Sequence, residues 1–210
     1  MAPAMPSYRA ISPDGLVELC ADLAAGGPGR RVVAIDGADA AAPVALAAAV
    51  VERLVTAGRS AAAVAMADFV RPASLRLEYG HTDTESYQTI WFDHDAIRRE
   101  VADALHTRGE WLPRLWDAAR DRSFRDRPRK AAPDQVLVVA GPMLLGSALR
   151  FDATIALVMS EAALRRRTPP DDTWTIEAIL DHARQAPAAD IEVRYDHPDR
   201  PAVRTGDPAK

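Results

Sequence analysis

The chain has 210 residues, of which 48% are hydrophobic and 27% are charged. A chain of this size and composition can bury one substantial core as a single domain. Its formal net charge of −4 argues against a general attraction to nucleic acid or to an anionic membrane. Nucleic-acid-binding and membrane-associated classes are therefore not expected, whereas a homo-oligomer is compatible with the sequence.

The lone cysteine, Cys20, excludes an intramolecular disulfide and a cysteine-cluster metal site. Its helical spacing within an apolar stretch predicts a buried thiol in the core. Residues Met1–Pro6 lack the features of a signal peptide, and no run reaches the roughly 20 apolar residues of a membrane span. We therefore predict a cytoplasmic location.

Strand and helix patterns alternate along the chain. The first predicted helix covers residues 13–25, with Ser12 as its N-cap. Buried strands are predicted at 32–36, 61–66, 135–140, 154–159 and 191–195, and further helices at 43–57, 95–106, 161–167 and 175–185. The tail from Asp196 is expected to be extended or frayed. This alternation predicts a three-layer α/β/α domain with a parallel sheet of about five strands.

The strand at 32–36 leads into Gly37 and then into a loop of small residues. This is the place where a nucleotide-binding protein carries the phosphate loop G-x-x-x-x-G-K-[ST]. With Gly37 as the first glycine, Ala42, Pro43 and Val44 stand where the second glycine, the lysine and the magnesium-binding hydroxyl should be. The sequence predicts the architecture of a phosphate loop without its chemistry.

Two later segments are rich in polar and aromatic side chains. Residues 70–94 are predicted to be mostly irregular, and a connection of that length in a compact domain is more often functional than idle. Residues 111–130 carry six arginines and one lysine against three aspartates, with aromatic residues interleaved. The aspartates and the acidic whole favour a solvated, salt-bridged face over a nucleic-acid interface. The five histidines show no spacing typical of a zinc site, so no metal site is predicted.

Five segments follow one another in a characteristic order: Val32–Gly37, Met66–Phe69, Tyr87–Glu100, Val136–Leu145 and Ala189–Pro201. This order resembles the uridine kinase family of P-loop nucleoside kinases, and in particular its actinobacterial members with an alanine-rich substitute for the phosphate loop. The most specific of these segments is Trp91-Phe92-Asp93-His94-Asp95-Ala96. The similarity covers roughly residues 30–203 and implies a P-loop NTPase-like domain there. It leaves 1–29 as an N-terminal helix and connector and 204–210 as a flexible tail.

The resemblance also implies that this chain lacks the groups with which the family binds the phosphate donor and its magnesium ion. Pro43 replaces the family's lysine and Val44 its hydroxyl, while Ala67 and Ala140 stand where the family has carboxylates. ATP or GTP with magnesium is therefore expected as a cofactor only if the protein is active. For a phosphate-binding role we consider Gly37, Asp39, Arg71, Arg165, Arg166 and Arg167.

Asp39 lies in the loop near the start of a predicted helix, where a carboxylate is stabilised. We hypothesise that it occupies the anion site and disfavours ATP. Arg165–Arg167 resemble the arginine-bearing lid of the kinases, although a basic helix end is also an ordinary C-terminal feature.

The part of the family's site that binds the nucleoside, which accepts the phosphate, matches this sequence better. Phe92 and Asp93 correspond to the nucleoside-contacting phenylalanine and the ribose-binding aspartate, and Trp116 falls near the family's aromatic residue at the base. The other reading is that Trp91 and Phe92 anchor the following helix and Asp93 is its N-cap. A loop cluster at a strand end adds further candidate nucleoside-binding residues, with surface salt bridging as the alternative: Arg76, Glu78 and Tyr79.

Three functions follow from these features. The first is a kinase-like pseudoenzyme that binds a nucleoside, a nucleotide or a related ligand, or a protein partner, without transferring phosphate. The second is an active phosphotransferase with Asp68 as catalytic base and replacement arginines as phosphate clamp. The third is an interaction module whose sheet surface serves dimerisation. We favour the first, because the second must rebuild several lost functions at once.

Overall fold

The structure is a computed structural model that describes residues 7–205. The predictions for Met1–Pro6 and for the last residues of the tail lie outside this range. The described chain contains eleven strands and eight α-helices, together with short 3-10 helices at Asp39–Ala41, Met66–Phe69 and Pro170–Thr175. The strands are β1 (Ser7–Ala10), β2 (Arg31–Gly37), β3 (Ala61–Ala65), β4 (Glu110–Trp111), β5 (Trp116–Asp117), β6 (Arg122–Ser123), β7 (Arg129–Lys130), β8 (Val136–Gly141), β9 (Ala153–Val158), β10 (Ile191–Arg194) and β11 (Ala202–Thr205). The helices are α1 (Pro13–Ala25), α2 (Pro43–Thr56), α3 (Ala73–Arg76), α4 (Thr84–Thr89), α5 (His94–Ile97), α6 (Asp103–Arg108), α7 (Glu161–Arg167) and α8 (Ile176–Gln185).

One seven-stranded sheet, in the order β1-β11-β10-β9-β2-β8-β3, organises the domain. The five strands from β10 to β3 are all parallel to their neighbours. The central strand β2 pairs with β8 on one side and with β9 on the other. From β2 the chain crosses to the β3 edge, and from β9 it crosses to β10 in the opposite direction. The gap between β2 and β9 is therefore the topological switch point of the sheet, where ligands of such folds bind.

Apolar helices cover the two faces of the sheet and form two cores. The first core joins α1, α2 and α7 to one face of the central strands, and Cys20 is fully buried within it. Burial raises the pKa of the Cys20 thiol to about 12, which confirms the predicted core thiol. The second core joins α5 and α6 to the opposite face. Residues 32–36 are buried on both faces, as expected for a central parallel strand.

Most predicted elements are confirmed, and their capping residues explain their bounds. The Ser12 hydroxyl accepts a hydrogen bond from the Gly15 amide at 3.1 Å, and Pro13 occupies the first turn of α1. The Ser160 hydroxyl caps α7 through the Ala163 amide in the same way. The helices predicted at 43–57 and 161–167 are α2 and α7.

The expectation of about five strands holds for the parallel part only. Two antiparallel strands, β11 and β1, extend the sheet beyond β10. Residues 202–205 of the tail, which was predicted to be extended or frayed, are extended and form β11. The first strand, β1, which was not predicted, joins residues 7–10 to the same sheet as the rest of the domain, and the predicted boundary after residue 29 stays a prediction.

Residues 70–94 are less irregular than predicted, since they contain α3 and α4. The helix predicted at 95–106 extends from 94 to 108 and contains a π-helical segment at Arg98–Ala102. A helix ladder with i→i+5 bonds cannot be read from apolar spacing, and such segments are often found at functional sites.

The basic segment forms two small antiparallel sheets, β4 with β7 and β5 with β6. Three of its basic side chains are paired: Arg114 donates two hydrogen bonds to Asp126, Arg120 donates to Asp117, and Lys130 donates to Glu110. These pairs support the interpretation of a solvated, salt-bridged face. Among the helices of residues 7–205, none combines the length and the apolar character needed to span a membrane.

Gly141, at the end of β8, is held in a conformation that only glycine tolerates well. Its φ is +148°, and a Cβ there would lie 2.5 Å from the Cβ of Met66. We expect Gly141→Ala to lower the free energy of unfolding by about 3 kcal/mol, from backbone strain and overpacking together. Urea unfolding monitored by circular dichroism measures this change.

Gly58→Ala is the matched control, because Gly58 has a φ of +84° but no atom within 4 Å of an added Cβ. It should cost only about 1 kcal/mol of strain. Equal losses for the two variants would show that the contact with Met66 contributes nothing.

Candidate functional site

The carboxyl ends of β2, β8 and β9 surround a cavity of about 230 Å³ at the switch point of the sheet. We call it the switch-point cavity. Helix α8 and the segment that follows it form the opposite wall. The lining includes Asp36, Gly37, Ala38, Met143, Leu145, Leu157, Met159, Ile179, Leu180, His182, Ala186, Glu192 and Arg204.

Asp36 is the buried charged residue of this cavity, with 5% of its surface exposed. One carboxylate oxygen accepts a hydrogen bond from the Leu144 amide at 3.1 Å. The other lies 2.7 Å from Nε2 of His182 on α8. A buried carboxylate needs such partners, so Asp36 ties together the end of β2, the loop after β8, and α8.

A second cavity, of about 380 Å³, opens on the other side of His182. We call it the polar cavity, because its lining includes Gln88, Thr89, His94, Ser147, His182 and Gln185. Nε2 of His94 lies 2.7 Å from the carbonyl oxygen of Met143, to which it donates a hydrogen bond. Burial lowers the pKa of His94, and the charges of Arg71 and His182 act in the same direction. The neutral imidazole is therefore favoured.

Residues 37–44 form a strand-to-helix turn at the position where the sequence predicts a phosphate loop. Gly37 ends β2, a 3-10 turn follows, and Ala42 has φ 52° and ψ 50° before α2 begins at Pro43. The left-handed conformation occurs at the position of the motif's second glycine, where it is unusual for alanine. Gly37 is needed for packing, since a Cβ there would lie 2.9 Å from the Cβ of Leu157.

The chemistry of a phosphate loop is missing from this shape. Pro43 has no amide hydrogen, and the Val44 side chain offers an apolar surface where a magnesium-binding hydroxyl would be. Ala140 is buried at the end of β8 and supplies no carboxylate. Within the described part of the chain, no three His, Cys, Asp or Glu side chains are grouped to hold a metal ion. The residues present do not fit an ATP–magnesium complex.

Asp39 does not cap a helix start. Neither the 3-10 turn nor α2 receives a side-chain hydrogen bond at its N-cap. Although much of the residue is accessible, the surrounding protein desolvates its carboxyl, and this effect together with the charge of Asp172 raises its pKa. Amide donors around an anion site would act in the opposite direction. The hypothesis that Asp39 fills the anion site stays a prediction without support from these contacts.

Asp68 lies in the 3-10 turn after β3 and is half-buried. Burial raises its pKa, while Arg114 lowers it, and Asp126 and Asp117 raise it further. Its charged neighbours thus belong to the small sheets of residues 111–130. Asp68 does not line the switch-point cavity or the polar cavity. A role as catalytic base stays a prediction.

Phe92 and Asp93 have clear structural roles. Phe92 is 5% exposed and packs edge-on against Tyr87, with ring centroids 5.3 Å apart. The carboxylate of Asp93 accepts a hydrogen bond from the Ala96 amide at 2.9 Å and so caps α5. The geometry therefore matches the reading in which Phe92 anchors the helix and Asp93 is its N-cap. Nucleoside contacts by these residues stay a prediction.

The other predicted nucleoside-binding residues do not line either cavity. Arg76 lies over the ring of Trp91 and donates a hydrogen bond to the carbonyl oxygen of Ala118. Trp116 donates to Asp121 at 3.0 Å. Glu78 and Tyr79 are exposed near the end of α3. These contacts bring Arg76 and the Trp116 hairpin together on the side of the domain that carries the small sheets.

The predicted phosphate-binding arginines are dispersed. Arg71 is close enough to lower the pKa of His94, whereas Arg165 pairs with Glu161 one turn earlier on α7 at 2.7 Å. Arg166 and Arg167 donate to the backbone carbonyls of Asp196 and Tyr195. These contacts fit an ordinary basic helix end, and a phosphate-clamping lid stays a prediction.

The central residues of the two cavities were not among the predicted site residues. Asp36, His94 and His182 come from three distant segments, and the chain offers no spacing that links them. One signal was present, because Asp36 is a charged residue within an apolar run of strand length. A carboxylate in a buried strand requires a partner, although the sequence does not say which one.

Comparison with solved structures shows the same fold in two kinases. A protein described as a possible uridine kinase from Bacillus stearothermophilus has a TM-score of 0.64 and 20% identity, covering 86% of this chain and 96% of its own. A candidate fructose transport system kinase from Silicibacter sp. TM1040 has a TM-score of 0.66 and 22% identity, covering 84% and 98%. No protein-family model and no curated protein matches the chain. The predicted α/β fold, with helices on both faces of a mostly parallel sheet, is confirmed, and it is the fold of these two structures.

The buried His94 predicts a loss of stability in mild acid. Its pKa is lowered from the ordinary value of 6.5, so the unfolded chain binds a proton at a pH where the folded chain does not. The free energy of unfolding should therefore fall as the pH drops below about 6.5 towards the folded-state pKa. Urea titrations of the wild type and of His94→Gln between pH 5 and 8 test this, with the variant showing the weaker dependence. His81→Gln, at an exposed position, is the control; an unchanged pH slope in His94→Gln would contradict the prediction.

The left-handed Ala42 predicts a stabilising substitution. Glycine avoids a cost of about 1–2 kcal/mol for the left-handed conformation and loses about 0.5–1 kcal/mol in chain entropy. We therefore expect Ala42→Gly to raise the free energy of unfolding by up to about 1 kcal/mol. Ala48→Gly makes the same chemical change on the exposed face of α2 and should lower it by about 1 kcal/mol. Changes of the same sign in the two variants would contradict the loop geometry.

Proposed function

We propose that this protein is a uridine kinase-like pseudoenzyme, which binds a nucleoside, a nucleotide or a related small molecule at the carboxyl edge of its sheet without transferring phosphate. The fold supports the general class of ligand, because both kinase neighbours share it over most of their length. The side chains of residues 37–44 support the absence of phosphoryl transfer.

The observation that carries this proposal is the loop at residues 37–44, which has the path of a phosphate loop and none of its functional groups. Phosphoryl transfer depends almost wholly on positioning and on cations that stabilise the developing charge. Pro43 supplies neither a charge nor an amide hydrogen, and Val44 cannot bind a metal ion. A change of this kind removes the principal catalytic means of a kinase while leaving the fold intact.

The region equivalent to the acceptor side is closed by the chain itself. Trp174, just before α8, packs against Tyr87 and Trp91 with ring centroids 5.4 Å from each. The amide of Gln88 on α4 also donates to the carbonyl oxygen of Ala178 on α8 at 3.2 Å. These contacts fill the space between the aromatic rings, whereas the switch-point cavity and the polar cavity leave space for a ligand.

Ligand-induced stabilisation and a transfer assay test the proposal together. A nucleoside that binds the folded chain should stabilise it by about 2.7 kcal/mol at 100 times its Kd, which corresponds to a rise in Tm of about 5–10 °C. We expect such a shift within a panel of nucleosides and nucleotides, and no phosphorylated product when the same nucleosides are incubated with ATP or GTP and magnesium.

Product formed in proportion to protein concentration would overturn the absence of transfer, and a panel without any shift would overturn ligand binding. The variant Ala42→Gly/Pro43→Lys/Val44→Ser rebuilds the loop and serves as the positive control for nucleotide binding. We expect this variant to show calorimetrically measurable binding of ATP–magnesium, and we expect the wild type to show none.

A further inference from the structure

We propose that the switch-point cavity and the polar cavity form one divided site for an uncharged, hydroxyl-rich ligand that carries a ring, such as an unphosphorylated nucleoside, and that His182 binds this ligand at the junction. The inference rests on the proposed function and specifies its site. It assigns ligand contacts to residues outside the segment that resembles the kinase acceptor site.

The two cavities are adjacent. Met143, Leu145, His182 and Ala186 line both of them. Their volumes are about 230 and 380 Å³, which together lie in the range of small-molecule sites. A ligand that extends past His182 would fill parts of both.

The switch-point cavity suits a ring. Its walls include Leu157, Met159, Ile179 and Leu180, which provide apolar surface on several sides. Its charged groups are already paired: Asp36 with His182, and Glu192 with Arg204 at 3.1 Å. A flat apolar or weakly polar ring gains burial there without opposing an unpaired charge.

The polar cavity suits hydroxyl groups. Amides, hydroxyls and imidazoles line it, and neither lysine, arginine, aspartate nor glutamate occurs in its lining. Several of these side chains keep hydrogen-bonding capacity. Gln88 uses its amide nitrogen towards Ala178 and retains its oxygen, and the Ser147 hydroxyl, which donates to the Leu144 carbonyl, can still accept. A phosphate would find no cation in this lining, whereas sugar hydroxyls would find both donors and acceptors.

His182 is oriented for a defined contact. Its Nε2 faces the carboxylate of Asp36 at 2.7 Å, which leaves Nδ1 as the ring nitrogen that can contact a ligand. Within residues 7–205 this is the one hydrogen bond formed by the ring. Asp36 acts as a positioning residue, because both of its oxygens are engaged by the protein.

The test compares matched ligands on the full chain by calorimetry and thermal shift. The probes are uridine, adenosine, their 5′-monophosphates, and free ribose and fructose. We expect the preferred nucleoside to bind at least tenfold more tightly than its own 5′-monophosphate and than either free sugar. Equal or tighter binding of the monophosphate would overturn the uncharged class, and equal binding of a free sugar would overturn the role of the ring.

Two variants test the location. Ala186→Leu adds bulk at the junction while its backbone, with φ −61° and ψ 141°, accepts leucine without strain. His182→Gln keeps an N–H donor for the carboxylate of Asp36 but removes the ring nitrogen Nδ1, which is proposed to contact the ligand. Each should weaken nucleoside binding at least tenfold, whereas the control His81→Gln should change it less than twofold. Urea unfolding of each variant separates a local loss of binding from a loss of folding.

The outcomes distinguish this inference from the proposed function. If the wild type binds a nucleoside and both cavity variants bind it within twofold, the divided site is wrong and the proposed function stands. If the wild type binds no nucleoside or nucleotide, or transfers phosphate to one, the proposed function itself fails.

Discussion

The buried carboxylate of Asp36 is the interaction on which the arrangement of the site depends. A charge at the end of a central strand would be strongly destabilising if it were left alone. Its two partners come from elements far along the chain, the Leu144 amide from the loop after β8 and His182 from α8. Satisfying this one group therefore fixes where α8 crosses the carboxyl edge of the sheet, and the position of α8 creates the two cavities. Replacing Asp36 by an apolar residue would remove the contact with His182 that holds α8 in this position.

The loop at residues 37–44 shows that backbone path and catalytic chemistry can be separated. Its strand, 3-10 turn, left-handed residue and helix start are stabilised by packing: Pro43 is buried, and Gly37 leaves room for Leu157. None of these contacts requires a phosphate. The start of α2 therefore contributes to the first core independently of any ligand.

The sequence predicted the parallel sheet and most helices, because these depend on local signals. Long apolar runs indicated the buried strands, and Ser12 and Asp93 indicated helix starts that the structure confirms. The antiparallel strands β1 and β11 were not predicted as sheet strands, because each is only four residues long and their pairing depends on a segment far along the chain. For the candidate site, the sequence predicted only that it lies at the carboxyl ends of the strands. Its central pair joins Asp36 to a histidine on α8, and a contact over that separation leaves no trace in local spacing.

The pairing of β1 with β11 has a consequence for how the chain is made. Ser7 lies opposite Thr205, so β1 is synthesised well before the strand with which it pairs. Until then β1 has open backbone groups, although its exposed Ser, Arg and Ala residues make it a poor template for apolar association. The parallel part of the sheet can form earlier, from strands that follow one another along the chain. The final docking of β11 between β10 and β1 then completes the domain, and the high contact order of this last step should make it one of the slower events in folding.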